Sequence, residues 1–463
     1  MSVPRLVLAG LEPGSVLRLA AGTLLAGMSE RAATRPILYG LDTELWRLLY
    51  EGPGKAPRVI DPALHTSAVA AELFEYWGET VDAVLMVAAR PVLDRWEGVD
   101  GSRPVELAAR FDAPLLIAVD ARDKGATTAA TVAGLRVLTR GIDIAGIIVI
   151  GGDDSPASQD LLGILRDEIQ IPILGKIPLQ LTEQYVRHAA VLSGQIKTIG
   201  PKPPADAGLR LCKEAIGYLD MDAVWEAASQ RGYLPAVQRR LFAREHVAGA
   251  LDAGPALAIA WGPPLQPLGL ENIDVLQAAG VRLKPLNISR DRALPDGVSG
   301  LLIGGQIDEG QLPAFTANTS LLSDIRAAVD QGLPTIAFGG GALLLLRRLA
   351  DSRGRSHDLV GAVPAEAELI EWYERPRYNR VRATRQNPYD AGENLLYELF
   401  DLEYLVLEQD SFAYEVLDGD GGGKAEGFAV HRCLATSFYP SFALTSAMSG
   451  RFVDTMRAAG VWS

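Results

Sequence analysis

Arg5-Leu6-Val7-Leu8-Ala9-Gly10, followed by Leu11-Glu12-Pro13-Gly14-Ser15-Val16-Leu17-Arg18-Leu19, is the stretch on which the fold turns. Leu6–Ala9 form an apolar run closed by a glycine, the pattern of a buried strand. Apolar residues then recur at helical spacing from Val16 to Met28. A strand, a glycine-bearing loop and a helix, in that order, form the entry to a nucleotide-binding α/β domain. The side chains of the loop do not carry the matching chemistry. A phosphate-binding loop needs a Lys to reach the β/γ-phosphates and a Ser or Thr to hold Mg²⁺. Leu17 and Arg18 occupy those places between Gly10, Gly14 and the helix, and Glu12 adds negative charge where phosphates would lie.

Outward from this stretch, apolar runs alternate with helical patterns. Arg35–Tyr39, Val81–Val87, Pro114–Val119, Ile144–Ile150 and Pro172–Gly175 read as strands. Glu106–Arg110, Thr127–Leu138 and Pro156–Glu168 read as helices, the last with Ser155 as its N-cap and Pro156 at its first position. Such alternation predicts a parallel sheet covered on both faces. The Pro-rich segment Lys197–Ala205 interrupts it, and a helical segment spans about Asp206–Arg231. A second α/β series begins near Pro255. Its strands are Ala256–Trp261, Val281–Leu286, Gly300–Gly304 and Pro334–Phe338; its helices are Asn272–Ala279, Leu321–Gln331 and Ala342–Leu349. Beyond Val363 the pattern changes to extended pieces and turns, with a low-complexity loop at Asp418–Gly423. Two α/β domains are expected, over residues 1–245 and 250–463.

The chain has 463 residues and a net charge of -13. That charge excludes bulk nucleic-acid binding, which needs a positive field toward phosphates. Two cysteines, Cys212 and Cys433, make neither a disulfide framework nor a zinc site. No metal is expected, and a reducing cytoplasm fits. Apolar stretches are broken by Gly, Pro or charge within about ten residues, too short to span a bilayer, so a cytoplasmic protein without membrane insertion is expected.

Several fragments resemble one family, the cobyrinic/hydrogenobyrinic acid a,c-diamide synthases. Ile60-Asp61-Pro62-Ala63-Leu64-His65-Thr66 resembles the family's "YIDPxFHxxA", and Ala113-Pro114-Leu115 through Val119-Asp120-Ala121 its "APVVLVVDA". Ile171–Pro178 is similar to "IPVLGxLPR" and Leu302-Ile303-Gly304-Gly305 to "YLPGGYPE". Gly332–Ala337 is similar to the start of "GLPIYAECGGLMYL", and Glu426-Gly427-Phe428 with Leu434–Phe442 to the closing "EGxxxxNxLASYxHLHF". Order and spacing together carry the resemblance over nearly the whole chain. It implies a P-loop domain related to dethiobiotin synthetase, a class I-like glutaminase domain, and ATP- and glutamine-dependent amidation of a corrinoid.

The departures fall on the chemistry that the resemblance implies. The P-loop Lys and Thr fall on Leu17 and Arg18. The acid of "EGVMGLFDG" falls near Val87, with Asp94 left from its end, and the Asn ending "GVILN" falls on Ile150. In the glutaminase half, the nucleophilic Cys falls on Gly339, ahead of Gly340, and the preceding Glu on Phe338. The closing histidines fall on Tyr439 and Ser441. Glutamine hydrolysis needs an activated thiolate, and phosphoryl transfer without Lys and metal loses most of its charge stabilisation. These losses lead to the expectation of a catalytically silent relative. It would bind a partner protein or a tetrapyrrole-like ligand, with no cofactor and weak or absent ATP/Mg binding. Two alternatives stand beside it: an ATP-dependent amidotransferase acting on a corrinoid or related carboxylate, with ammonia drawn from elsewhere, and a homo-oligomeric structural protein.

Several residues are candidates for binding. Asp61 and His65 lie on one face if Asp61 caps a helix; otherwise they are a cap and an exposed histidine. Asp120 ends a strand at a crevice edge, with Asp123 and Lys124 after it. Arg5, Arg18, Arg90 and Arg95 are candidates to line the phosphate side, or are surface charges. Trp372, Arg375 and Tyr378 bring together aromatic and arginine chemistry typical of protein interfaces, or belong to a hairpin with alternating burial. Trp46, Trp77, Trp96 and Trp261 read as core or interface residues, and Cys212 as helix core. A relocated Cys433–His431 pair is the least favoured nucleophile.

Overall fold

The computed structural model describes residues 2–96, 99–139, 141–192, 206–242, 254–407, 412–417 and 423–462. The chain divides into two compact units, Met1–Gln238 and Arg239–Ser463. The boundary expected from the sequence, 245/250, lies outside the described residues, as do the whole Pro-rich segment and most of the loop at 418–423.

In the first unit seven strands alternate with helices: β1 (Arg5–Gly10), β2 (Thr34–Tyr39), β3 (Arg58–Ile60), β4 (Ala83–Ala88), β5 (Leu115–Asp120), β6 (Ile144–Gly152) and β7 (Ile173–Pro178). They form one sheet of order β3-β2-β4-β1-β5-β6-β7, with every pairing parallel. The predicted doubly covered parallel sheet is therefore present. The helices are α1 (Ser15–Ser29), α2 (Thr43–Glu51), α3 (Ser67–Gly78), α4 (Pro104–Arg110), α5 (Ala126–Leu138), α6 (Pro156–Gly163), α7 (Leu179–Leu192), α8 (Ala207–Ala215) and α9 (Met221–Ser229). Side-chain caps set several starts: Asp42 accepts from the Leu45 amide, Thr66 from Val69 and Ser155 from Ser158. The sequence reading missed β3, α2, α3 and α7. Its single helix over about 206–231 is two helices joined by a turn at Ile216–Tyr218.

The second unit holds β8 (Ala256–Trp261), β9 (Leu265–Gln266), α10 (Leu270–Ala278), β10 (Arg282–Asn287), β11 (Gly300–Ile307), α11 (Leu312–Thr316), α12 (Thr319–Asp330), β12 (Thr335–Gly339) and α13 (Gly340–Leu344). It continues with β13 (Leu346–Ala350), β14 (Ser356–Asp358), β15 (Val363–Ala383), β16 (Glu393–Leu407), β17 (Phe412–Val416), β18 (Ala425–Val430), β19 (Cys433–Thr436) and α14 (Ser446–Ala458). A parallel core of order β10-β8-β11-β12-β19 continues through antiparallel β18 and β17 to the long β15. The helix expected at Ala342–Leu349 is only one turn; after it the chain becomes strand β13, paired in parallel with β15. The extended pieces expected beyond Val363 are the 21-residue β15 and its partner β16. Trp46, Trp77 and Trp96 are buried as expected, whereas Trp261 is about half exposed at the end of β8. Among the described residues no helix is long and apolar enough to cross a membrane.

Candidate functional site

Ligands of open parallel sheets bind outside the carboxyl ends of the strands. In the first unit β1 lies between β4 and β5, so the loops after β1 and β5 face one crevice. A cavity of about 90 Å³ occupies it, lined by residues of Leu11–Leu17 and by Ala118, Asp120, Arg122 and Lys124. Gly10 is required by the turn itself, because a Cβ there would run into the carbonyl of Glu12. Lys124 Nζ lies 2.6 Å from Glu12 Oε1. Arg122 donates from Nε and Nη2 to the two oxygens of Asp120, at 3.0 and 2.8 Å. Burial pushes the Asp120 carboxyl up, but the Arg122 hydrogen bonds outweigh it and hold the group below its usual range. The wall thus carries two cations, two anions and the start of α1, whose cap residue Gly14 offers no side-chain acceptor.

Leu17 lines the cavity but is otherwise buried in the core; the other residues expected on this wall are elsewhere. Arg18 turns away to Asp42, donating from Nε and Nη2 at 3.2 and 3.0 Å, so it does not replace the missing hydroxyl. Arg5 is fully buried and donates to the carbonyls of Phe111, Val3 and Gly232. Arg90 lies over the Trp96 ring and Arg95 pairs with Asp100. Asp94 is exposed in the turn after β4, and Ile150 is sealed within β6. Arg122 and Ser15 were missed. The available signal for Arg122 was its place two residues beyond a strand-end acid, within reach of the crevice.

Asp61 caps no helix and His65 is not exposed, contrary to both sequence readings. Both are buried in a turn after β3. Asp61 Oδ1 accepts from the Ala63 amide, its carbonyl from the His65 amide, and its own N–H donates to His65 Nδ1 at 3.1 Å. Burial lowers the His65 pKa to about 4, so the ring is neutral. The segment is a folded turn, and α3 starts beyond it at Ser67.

In the second unit β12 runs into Gly339 at φ 57, ψ −134, and α13 starts at the next residue. A sharp strand-to-helix turn with strained backbone is the geometry that exposes a catalytic nucleophile. Here the space above it is filled. A Cβ built on Gly339 overlaps the Tyr439 ring and hydroxyl. Tyr439 stacks on Tyr397 at 5.0 Å and 11°, and meets Phe338 edge-on at 5.7 Å and 67°. Its hydroxyl donates to the Gly305 carbonyl at 2.9 Å. Burial pushes the phenol well above its usual range. The buried Ser441 supplies its carbonyl to the Thr445 amide and hydroxyl. Cys433 is fully buried, its thiol pushed up to about 12 by desolvation, and it pairs in register with Thr335 rather than near Gly339. His431 sits in the turn between β18 and β19 with φ 53. The Cys433–His431 pair is thus not assembled beside the elbow. Cys212 is packed against the first helix, its Sγ 3.9 Å from the Leu19 carbonyl.

The run Trp372–Tyr378 lies within β15, where a register shift falls between Trp372 and Arg377. Trp372 Nε1 donates to Glu309 Oε1 at 2.5 Å and its ring meets Phe400 edge-on. Tyr378 packs near Tyr397 at 6.4 Å, Arg377 lies over Tyr373, and Arg375 is half-buried. Its aromatics are thus partly spent within the unit. Among the described residues no cluster of His, Cys, Asp and Glu is gathered as for a metal ion.

Residues 257–438 match the family of the CobB/CobQ-like glutamine amidotransferase domain. Over more of the chain, a "Cobyrinate a,c-diamide synthase" of Synechococcus sp. is 25% identical, covering 79% of this chain and 78% of that one. A "Hydrogenobyrinate a,c-diamide synthase" of Thermobifida fusca is 28% identical, covering 68% and 67%. A "Cobyrinate a,c-diamide synthase" of Priestia megaterium is 22% identical, covering 94% and 97%. These relatives are named as enzymes across both units. That overturns the expectation of a non-catalytic binding or assembly factor, which rested on lost side chains alone. Along both units the chain is similar to cobyrinate and hydrogenobyrinate a,c-diamide synthases, and residues 257–438 of its second unit match the CobB/CobQ-like glutamine amidotransferase domain.

Proposed function

We propose that the chain is an ATP-dependent amidotransferase that converts a carboxylate of a corrinoid, or of a related polycarboxylate, into an amide. The observation that carries this reading is that synthases of one reaction type match both units together, up to 97% of a relative's length. The first unit supports it chemically. Its crevice lies at the strand C-termini, with Lys124, Arg122 and Ser15 beside the open start of α1. Amide donors at a helix start and two cations suit the phosphates of a nucleotide. Lys124 and Arg122 approach from the β5 side, in place of the Lys expected on α1. For a triphosphate to enter, Glu12 must release Lys124.

The test is amide formation with purified full-length protein, cobyrinate and ATP-Mg, in the presence of both glutamine and ammonium chloride. The expected result is a product one mass unit lighter per amidated carboxylate, formed with ADP in equal amount, and lost in Lys124→Ala. Folded protein that forms no amide from cobyrinate or from a panel of related polycarboxylates would refute the reading.

A further inference from the structure

The elbow of the second unit keeps its backbone, while its pocket is occupied by the protein itself. Resting on the amidotransferase reading above, we infer that this unit does not take glutamine. Tyr439 sits where a nucleophile's side chain would stand, and nitrogen enters the reaction as free ammonia.

Three observations converge on Gly339. It has no side chain, and its φ of 57 is a conformation other residues adopt only with strain. The volume a nucleophile would fill holds the Tyr439 ring and hydroxyl. The plug is also anchored, by the Gly305 carbonyl, by Tyr397 stacked on one face and by Phe338 at the edge.

Neither cysteine of the chain replaces the thiol. The chain has two cysteines. Cys433 pairs with Thr335, four residues before the elbow. At about 3.3 Å per residue that is roughly 13 Å back along the strand. Cys212 belongs to the first unit, buried against α1. Tyr439 is itself no substitute, since its buried phenol stays protonated at neutral pH.

The reaction balances without glutamine. A carboxylate, ATP and ammonium give the amide, ADP, phosphate and a proton. One carboxylate oxygen leaves with the terminal phosphoryl group, and the ammonia nitrogen takes its place on carbon. Of the two surplus ammonium hydrogens, one goes to the phosphate and one to solvent.

The experiment supplies full-length protein with cobyrinate and ATP-Mg. It compares ¹⁵N-ammonium chloride with glutamine labelled at its amide, reading amide by mass spectrometry and glutamate enzymatically. The expected result is labelled amide from ammonium alone, with a rate that rises with pH as the neutral ammonia fraction grows, and glutamate at the no-protein background. Labelled amide from glutamine, or protein-dependent glutamate release, overturns the donor assignment and leaves the amidotransferase reading standing. No amide from either donor defeats the amidotransferase reading, and the donor assignment falls with it.

Discussion

His65 is a neutral imidazole held in a buried turn, its Nδ1 accepting from the Asp61 amide. A proton on Nδ1 would break that bond and leave a charge out of water. The folded-state pKa is therefore depressed, to about 4 against an ordinary 6.5. Between these values the unfolded chain binds a proton that the folded chain does not, so stability falls as pH drops from about 6.5 to about 4. At about 1.4 kcal/mol per unit, the loss is roughly 2–3 kcal/mol. Urea unfolding near pH 7 and near pH 4.5 measures it in wild type and in His65→Gln. The variant should be less stable near pH 7 but should lose clearly less between the two conditions. Equal losses in both proteins would show that other groups set the slope. Residues of this kind explain a limit of reading sequence: the alternatives weighed for Asp61 and His65 both assumed a helix start, and the pair instead closes a turn.

At the scale of elements, the turn from β12 into α13 carries the sharpest prediction. A side chain at position 339 meets both a strained φ and the Tyr439 ring. Gly339→Cys should therefore destabilise the protein by about 2–4 kcal/mol, combining overpacking with backbone strain. Tyr439→Ala alone should cost a similar roughly 3–5 kcal/mol, by emptying a buried aromatic site. Combined, the two should cost clearly less than their sum, because the cavity accepts the new side chain; a double-mutant cycle by chemical unfolding reads this coupling. Strict additivity would mean that Tyr439 does not occupy the place of the missing nucleophile. The turn was legible because Pro334–Phe338 is an apolar run ending in three glycines. The segment beyond the turn was not legible. Ala342–Leu349 is almost continuously apolar, and such a run does not distinguish helix from strand; pairing of Leu346–Ala350 with β15 decides it. The same holds for the first unit. The apolar strands β1, β4, β5 and β6 were read with little error, whereas β3, three residues beside Pro57, gave too short a signal. The crevice was located from Gly10 and Asp120 with Lys124 beside it, but Arg122 was missed and Arg18 was placed there in error. Arg18 looked available because Asp42, its partner, is 24 residues away in sequence, and no periodicity reports such a pairing.

At the scale of the molecule, each unit encloses its own sheet and buried core. Domains with separate cores unfold as separate cooperative blocks unless they bury a large shared surface. Calorimetry of the full chain should therefore resolve two transitions, and variants with known addresses should assign them. Arg18→Met removes the guanidinium from a buried pair and leaves Asp42 without its counter-charge. Losing one partner of a buried pair costs about 3–5 kcal/mol. In a domain of this size that corresponds to a fall of roughly 10 °C in midpoint. The transition that falls belongs to the first unit, and the other should stay within about 1 °C. Gly339→Cys should do the reverse, lowering the second unit's transition alone. The two variants also separate the functional halves. Arg18→Met alters the helix that borders the crevice proposed to hold the nucleotide, whereas Gly339→Cys disturbs a pocket that already holds Tyr439. Ammonia-dependent amide formation, measured below both transitions, should thus be the more sensitive to Arg18→Met. If both variants instead lower one shared transition by similar amounts, the units unfold as one block, and a change at the elbow is expected to weaken the crevice as well.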